Sequence, residues 1–386
     1  MKGHRKWDLS VLNKRRFLPE WRNSARRNSH SGTQNKWPRL LVLGCMLLLV
    51  AIVVVIVIYS RSTIGTTDQK SSTTISTTLT ECTISNISVN ARWKQPGQIV
   101  AGGHEPGNDT NQLNKPWGLF VDDDQTVIIA DYGNHRIVQW KMNDTKGEVL
   151  AGDHDQGNGL DQLYKPTDVL IDKETNSLII CDSGNRRVIR WSRRRGTSEG
   201  EILLNNIACR GLAMDYQKYL YISDTGKHEV SRYKIEDKNG SVVAGVHRRI
   251  NDSKQLYWPS YVFVERQQTV YVSDNNNHRV IKWNKGAEEG IVIAGVQGKG
   301  TAKTQLRNPN GLFVDTCGTL YVADSVNNRV MRWREGEKNG TIIVGRNGQL
   351  SVPMGLSFDR YGNLYVVDRQ NHCVRRFSME LAHADG

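Results

Sequence analysis

The sequence predicts an all-β fold, a six-bladed β-propeller of four-stranded antiparallel blades preceded by a single transmembrane helix. Three observations carry that prediction. The stretch ADYGNHRIVQW, Ala130 to Trp140, returns five times along the chain. Each copy lies inside a larger unit of four short β-rich runs. One long apolar run without charge stands ahead of them all.

The further copies are CDSGNRRVIRW (Cys181 to Trp191), SDTGKHEVSRY (Ser223 to Tyr233), SDNNNHRVIKW (Ser273 to Trp283), ADSVNNRVMRW (Ala323 to Trp333) and VDRQNHCVRRF (Val367 to Phe377). Their aspartates, Asp131, Asp182, Asp224, Asp274, Asp324 and Asp368, stand 51, 42, 50, 50 and 44 residues apart. A fixed period marks a structural unit before it marks a site. About a dozen residues ahead of each copy comes an apolar run closed by an acid: GLFVD, DVLID, GLAMD, YVFVE, GLFVD and GLSFD. A proline precedes five of these runs (Pro116, Pro166, Pro259, Pro309, Pro353), and Cys209 takes that place in the third. A turn and a second run such as TLYVAD follow, then the stamp with its own RVIKW-type run, then a fourth run such as VLAG or VVAG. Short runs rich in Val, Ile and Tyr, bounded by Gly, Asn, Asp and Pro, are the strands of an antiparallel meander. Six such sheets in tandem bury both faces by packing on one another around a ring.

The chain ends refine the count. The sixth unit stops after its third run at Phe377, while an orphan fourth run, QIVAGG (Gln98 to Gly103), precedes the first unit. The orphan is expected to complete the sixth sheet, which removes an exposed edge. The combined pattern, P-x-G-L-x-V-D and then L-Y-V-A-D-x-x-N-x-R-V-x-R-W, resembles the NHL-repeat family of six-bladed propellers over about residues 98–378. Blade three departs from it with Lys227 and Glu229, and blade six carries Cys373 where the arginine is expected.

The formal charge of +13 is concentrated at one end: residues 1–39 hold eleven Lys and Arg against two acids, a net of +9, which leaves +4 for the other 347 residues. That distribution gives a basic disordered tail and removes the need for a nucleic-acid footprint on the main body. Residues 40–59 are twenty in a row without a charge, long enough to cross the hydrocarbon of a bilayer. This is read as an uncleaved signal-anchor helix; a cleaved signal peptide competes, but has a shorter apolar region. The basic side stays cytoplasmic, so the remainder faces the exterior or the secretory lumen as a single-pass protein. Residues 60–97 form a Ser/Thr-rich stalk, 98–378 the propeller and 379–386 a C-terminal tail. N-glycosylation sequons at Asn86, Asn108, Asn143, Asn239, Asn251 and Asn339 all follow the apolar run. So do five of the six cysteines, of which Cys181, ending the second strand of blade two, and Cys209, beginning the first strand of blade three, are expected on the same face of neighbouring blades and are the candidate disulfide.

The stamp's Asp, Asn and Arg are expected to fix a turn, since a sixfold motif is rarely six active sites. Trp140, Trp191, Tyr233, Trp283, Trp333 and Phe377 occupy one place per unit and are expected to pack between blades. The acids closing each first run, such as Asp122 and Asp315, are turn residues. His135, His228, His278 and His372 share one repeat position, too far apart around a ring to hold one metal ion, and no metal site is assigned. VQGKGTA opens no helix, so no dinucleotide site or other cofactor is expected. Candidate ligand-binding residues are those that start the first strands at the channel mouth: Trp117, Asp168, Arg210, Tyr261 and Asn310, beside Thr167, Ser260 and Met354. The family resemblance also brings in enzymes, among them the peptide-amidating lyase and gluconolactonase-like or strictosidine-synthase-like propellers. The mouth here carries no histidine, which departs from the zinc-ligand pattern of that lyase. The expectation is therefore a non-catalytic module binding a protein, peptide or glycan; a membrane-anchored hydrolase or lyase is the alternative, and an RNA-binding propeller is disfavoured by orientation.

Overall fold

Twenty-four strands form six antiparallel sheets of four, and each sheet except one is continuous in sequence. The structure is a computed structural model and describes residues 87–380 apart from 89, 153–154, 236, 246–254 and 346–347. The basic tail, the 40–59 run, Asn86, Asn251, Cys82 and the last six residues lie outside the described residues. Among the described residues no helix is long and apolar enough to cross a membrane.

Blade one runs Leu119–Val121, Val127–Asp131, Arg136–Trp140 and Glu148–Ala151. Blades two to five repeat this order. Blade six takes Pro353–Phe358, Leu364–Asp368 and Cys373–Phe377 and borrows Gln98–Gly102, which pairs antiparallel with Cys373–Phe377. The orphan run thus closes the ring, as the sequence predicts. The packed domain also reaches back beyond Gln98: Ile87, Ala91 and Trp93 are buried, Trp93 stands 6.0 Å from both Tyr321 and Phe358, and its Nε1–H donates to Gly362 O at 2.9 Å.

Between blades, the stamp's closing aromatics are buried as expected, Trp140, Trp191, Trp283, Trp333 and Phe377 nearly completely and Tyr233 in part. The glycine before each fourth strand makes room for them. A Cβ on Gly147 would stand 2.5 Å from the Trp140 ring, so only a residue without a side chain lets that strand lie on the indole.

The stamp itself is a clasp. Asp131 Oδ2 accepts from Asn134 Nδ2 at 2.7 Å and Arg136 Nε at 2.9 Å, while Oδ1 accepts the Asn114 N–H at 2.8 Å from the loop entering the same blade. Arg136 then grips that loop through the carbonyls of Asn108, Asp109 and Gln112. Asp182, Asp274 and Asp324 repeat the arrangement with Tyr164, Tyr257 and Arg307. In blade six, where Cys373 replaces the arginine, Arg375 reaches Asp368 Oδ2 at 2.7 Å from two residues further along the strand. Blade three lacks the guanidinium, and Asp224 caps Gly226 N–H and Lys227 N–H instead. There a disulfide between Cys181 and Cys209 ties the entering strand to blade two.

The stamp histidines have a structural task. Each holds a left-handed backbone, His135, His278 and His372 at the end of a 3-10 turn and His228 at the end of a plain turn, and its Nδ1 accepts a backbone N–H from the next blade's entry loop: His135 from Lys165, His228 from Trp258, His278 from Asn308 and His372 from Lys115. In blade five Asn328 Oδ1 does the same for Val352. The donors themselves hold positive φ, from 48° at Lys115 to 59° at Trp258, so the bond offsets backbone strain.

Two outcomes test this architecture. Deleting residues through Gly103 removes both the closing strand and Trp93, and is expected to cost at least about 3–5 kcal/mol and to expose Cys373–Phe377 to limited proteolysis; a resistant sixth blade would contradict the closure. Burial holds His278 below its ordinary value of 6.5. The unfolded chain therefore takes up the proton first, so the contact is intact above pH 6.5 and is lost as pH falls through the folded value. His278→Asn, the residue type blade five already uses, is expected to reduce the fall in melting temperature between about pH 7 and pH 5; an unchanged slope would show that the acceptor does not titrate with folding.

Candidate functional site

The register decides which side chains meet at the channel. Pro309 pairs with Asp324, Pro353 with Asp368 and Cys209 with Asp224, so the start of each first strand lies beside its own stamp on one face of the ring. The clasp that holds Asn114 therefore also sets where Trp117, whose N–H donates to Ala130 O at 2.9 Å, leads into the first strand of blade one. An inner belt of hydrogen bonds links successive blades: Leu212 N–H to Asp168, Ser223 to Ser260 O, Ser260 to Pro309 O, Ser325 to Pro353 O and Gly355 N–H to Trp117 O.

Four of the five mouth residues picked from sequence come together. The Tyr261 hydroxyl crosses from blade four and donates to Trp117 O at 2.9 Å. The Arg210 guanidinium lies 3.8 Å from the Trp117 ring centroid, in stacking range. Asp168 sits beneath with 4% of its surface exposed, its carboxylate accepting Leu212 N–H at 2.8 Å and Val169 N–H at 3.0 Å. Asn310 turns elsewhere: it donates to Ser325 Oγ at 2.8 Å and accepts from Asn275 Nδ2 at 3.3 Å. Thr167 donates to Cys181 Sγ, and Met354 is buried in the core.

The structure adds residues that motif reading passed over. Arg369 lies 4.9 Å from the Trp117 centroid on the blade-six side, and the Tyr132 ring is 5.1 Å away. Lys165 approaches Tyr164 at 5.1 Å and Tyr132 at 6.0 Å. Tyr132 and Arg369 both follow the stamp aspartate, a place that holds Ser183, Thr225, Asn275 and Ser325 in the other copies. That variation within a constant motif was the available signal.

Burial dominates the electrostatics. It pushes the Asp168 carboxyl up to about 7 and, with a smaller contribution from the neighbouring Arg369 charge, brings Arg210 down to about 10; Arg210 remains a cation at neutral pH. The Tyr261 hydroxyl is raised well above its usual range by burial. With that hydroxyl given to Trp117 O and Asp168 given to two backbone donors, the mouth offers aromatic faces and cations, which suit noncovalent recognition. Among the described residues no group of three metal-ligating side chains comes together.

The opposite mouth is built differently. A cavity of about 790 Å³ there is lined by Phe120, Phe263 and Phe313 and rimmed by Asp122, Glu265 and Asp359. Its acids hold turns, as expected: Asp315 accepts from Cys317 N–H, Thr319 N–H and the Tyr321 hydroxyl.

The sequence profile of the NHL repeat matches residues 113–140, the loop, first three strands and stamp of blade one. Five more copies of that unit complete the ring. The chain is an NHL-repeat β-propeller. Solved structures similar to this NHL propeller include a protein of unknown function from Bacteroides thetaiotaomicron, 15% identical with a TM-score of 0.59 over 73% of this chain and 75% of that one. An auxiliary nutrient binding protein from the same organism is 14% identical, with a TM-score of 0.58 over 74% and 76%. The PQQ-bound aldose sugar dehydrogenase of Streptomyces coelicolor is 13% identical, with a TM-score of 0.51 over 73% and 97%. At these identities the likeness is one of fold. No curated protein matches the sequence.

Asp168 gives this mouth of the NHL propeller a pH signature. Its folded value, about 7, exceeds the ordinary 3.8, so the folded state binds the proton more tightly and this contribution to stability is full below about pH 4 and lost as pH rises through 7. Asp168→Asn retains an acceptor for Leu212 N–H. It is expected to remove about one proton's worth of slope, roughly 1.4 kcal/mol per pH unit, from the stability curve between pH 4 and 7; identical curves would contradict the buried carboxyl.

Proposed function

We propose that this NHL-repeat propeller is a membrane-anchored binding module that presents its stamp-side mouth outward, in the secretory lumen or outside the cell, to a protein, peptide or glycan. The observation that carries the reading is the mouth itself, where Trp117, Tyr132, Arg210 and Arg369 meet although they come from blades one, three and six. Aromatic faces beside unspent cations are the composition of a recognition surface. The apolar run at 40–59 supplies the anchor, and the basic residues ahead of it set the direction. Exposure of Asn108, Asn143, Asn239 and Asn339 is in keeping with glycosylation of an outward-facing domain. One similar fold is named a nutrient-binding protein, which is compatible with a binding role but does not assign one here.

The test has two readouts. Peptide and glycan arrays probed with the full-length chain are expected to give hits that the Tyr132→Ala/Arg369→Gln double variant loses by about tenfold or more, with its melting temperature kept, as for central residues of an interface. Hits indifferent to the double variant would move the site off this mouth, and turnover of lactone or ester substrates that depends on Asp168 would replace the module with a hydrolase. Protease protection of the propeller in intact microsomes is expected from the orientation; digestion of the propeller would overturn it.

A further inference from the structure

The propeller treats its buried arginines in two ways. Arg136, Arg187, Arg279, Arg329 and Arg375 each meet a fully buried stamp carboxylate at 2.7 to 2.9 Å. Arg210 and Arg369 are partly buried, yet among the described residues neither has an ion-pair partner or an acceptor for its guanidinium. Both sit on one indole, at 3.8 and 4.9 Å from its centroid, and the Nε of each, together with Trp117 Nε1, is a buried donor without a partner. Asp168, the buried carboxylate of the mouth, is committed to Leu212 and Val169 N–H and pairs with neither. Lys165, on the Tyr132 and Tyr164 rings, adds a third cation to the same rim. Two like charges drawn together out of water without a counter-ion are unfavourable unless something negative joins them.

We propose that the stamp-side mouth takes a carboxylate-bearing ligand, with the carboxylate held between Arg210 and Arg369 and the adjoining apolar or ring face against Trp117 and Tyr132. The proposal rests on the binding-module reading and names its ligand class. A guanidinium presents paired N–H donors in one plane, the geometry that a planar carboxylate fills with two hydrogen bonds. Both guanidinium groups lie close to the Trp117 ring centroid, at 3.8 and 4.9 Å, and Tyr132 supplies a second face for whatever carries the acid. Free peptide C-termini and acidic sugars share this chemistry.

Calorimetry on the full-length chain tests it with N-acetyl-dialanine as free acid and as amide, glucuronate beside glucose, and inorganic phosphate. At least one acid is expected to bind about tenfold or more tightly than its neutral counterpart, and which acid does so identifies the source as peptide or sugar. Arg369→Gln, at a partly buried position with no bond to lose, is expected to lose that preference without a lower melting temperature, and Arg210→Lys, which keeps the charge but not the fork, to weaken it. Acids that bind no better than neutral partners, no acid binding, phosphate preferred over both acids, or an acid preference unchanged in Arg369→Gln would each overturn the proposal. If array hits still depend on Tyr132 while acids show no preference, this inference falls and the binding module stands; if hits ignore Tyr132 and Arg369, both fall.

Discussion

The fully buried carboxylate of the stamp is the interaction on which the rest of the propeller depends. In each of five blades one aspartate joins three separate pieces of chain: the turn it begins, the strand that follows, and the loop arriving from the preceding blade. Burial alone opposes its charge strongly enough to push the Asp131 carboxyl up to about 6 in spite of Arg136. The guanidinium, the asparagine amide and the loop N–H are what keep it ionised at neutral pH. Removing one partner of such a set leaves the other stranded, so the clasp is maintained as a unit.

Because the clasp holds the arriving loop, it also fixes where the next strand starts, and the channel mouth is made of those starts. The stamp is constant so that the residues around it can vary. Blade three shows what happens where the device is absent. With Glu229 in place of the arginine, Asp224 serves only its own turn, and the covalent bond from Cys181 to Cys209 secures the strand that brings Arg210 to the mouth. Blade six keeps the clasp by another route, with Arg375 substituting for the missing arginine from the same side of the strand. The residue that opens the sixth stamp's turn, Arg369, is then free to face Trp117.

Much of this was legible in the sequence because repetition made it so. Six copies at a near-constant period gave the number of blades, and a fourth run without a sheet gave the closing strand. Cys181 and Cys209 could be paired because the repeat placed them at the facing ends of adjoining strands. The site was legible only in part. Strand starts pointed to Trp117, Asp168, Arg210 and Tyr261, but a periodic pattern averages over the position after each aspartate, where Tyr132 and Arg369 stand out only because they differ from Ser, Thr and Asn. Asn310 looked equivalent to its counterparts until its amide was seen engaged with Ser325 and Asn275. The packing of Trp93 against Tyr321 and Phe358 was not readable, since that contact joins residues more than two hundred apart and belongs to no repeat.

The dependence of the mouth on the clasp can be measured by amide hydrogen exchange on Asp131→Ala beside the unaltered chain. Loss of the carboxylate is expected to destabilise by about 3–5 kcal/mol, the scale for a buried pair broken on one side. Protection should fall first at Asn114 and Gly133 and extend to Trp117, while blades four and five keep theirs. Unchanged protection from Asn114 to Trp117 in a folded Asp131→Ala protein would contradict the claim that the stamp positions the site.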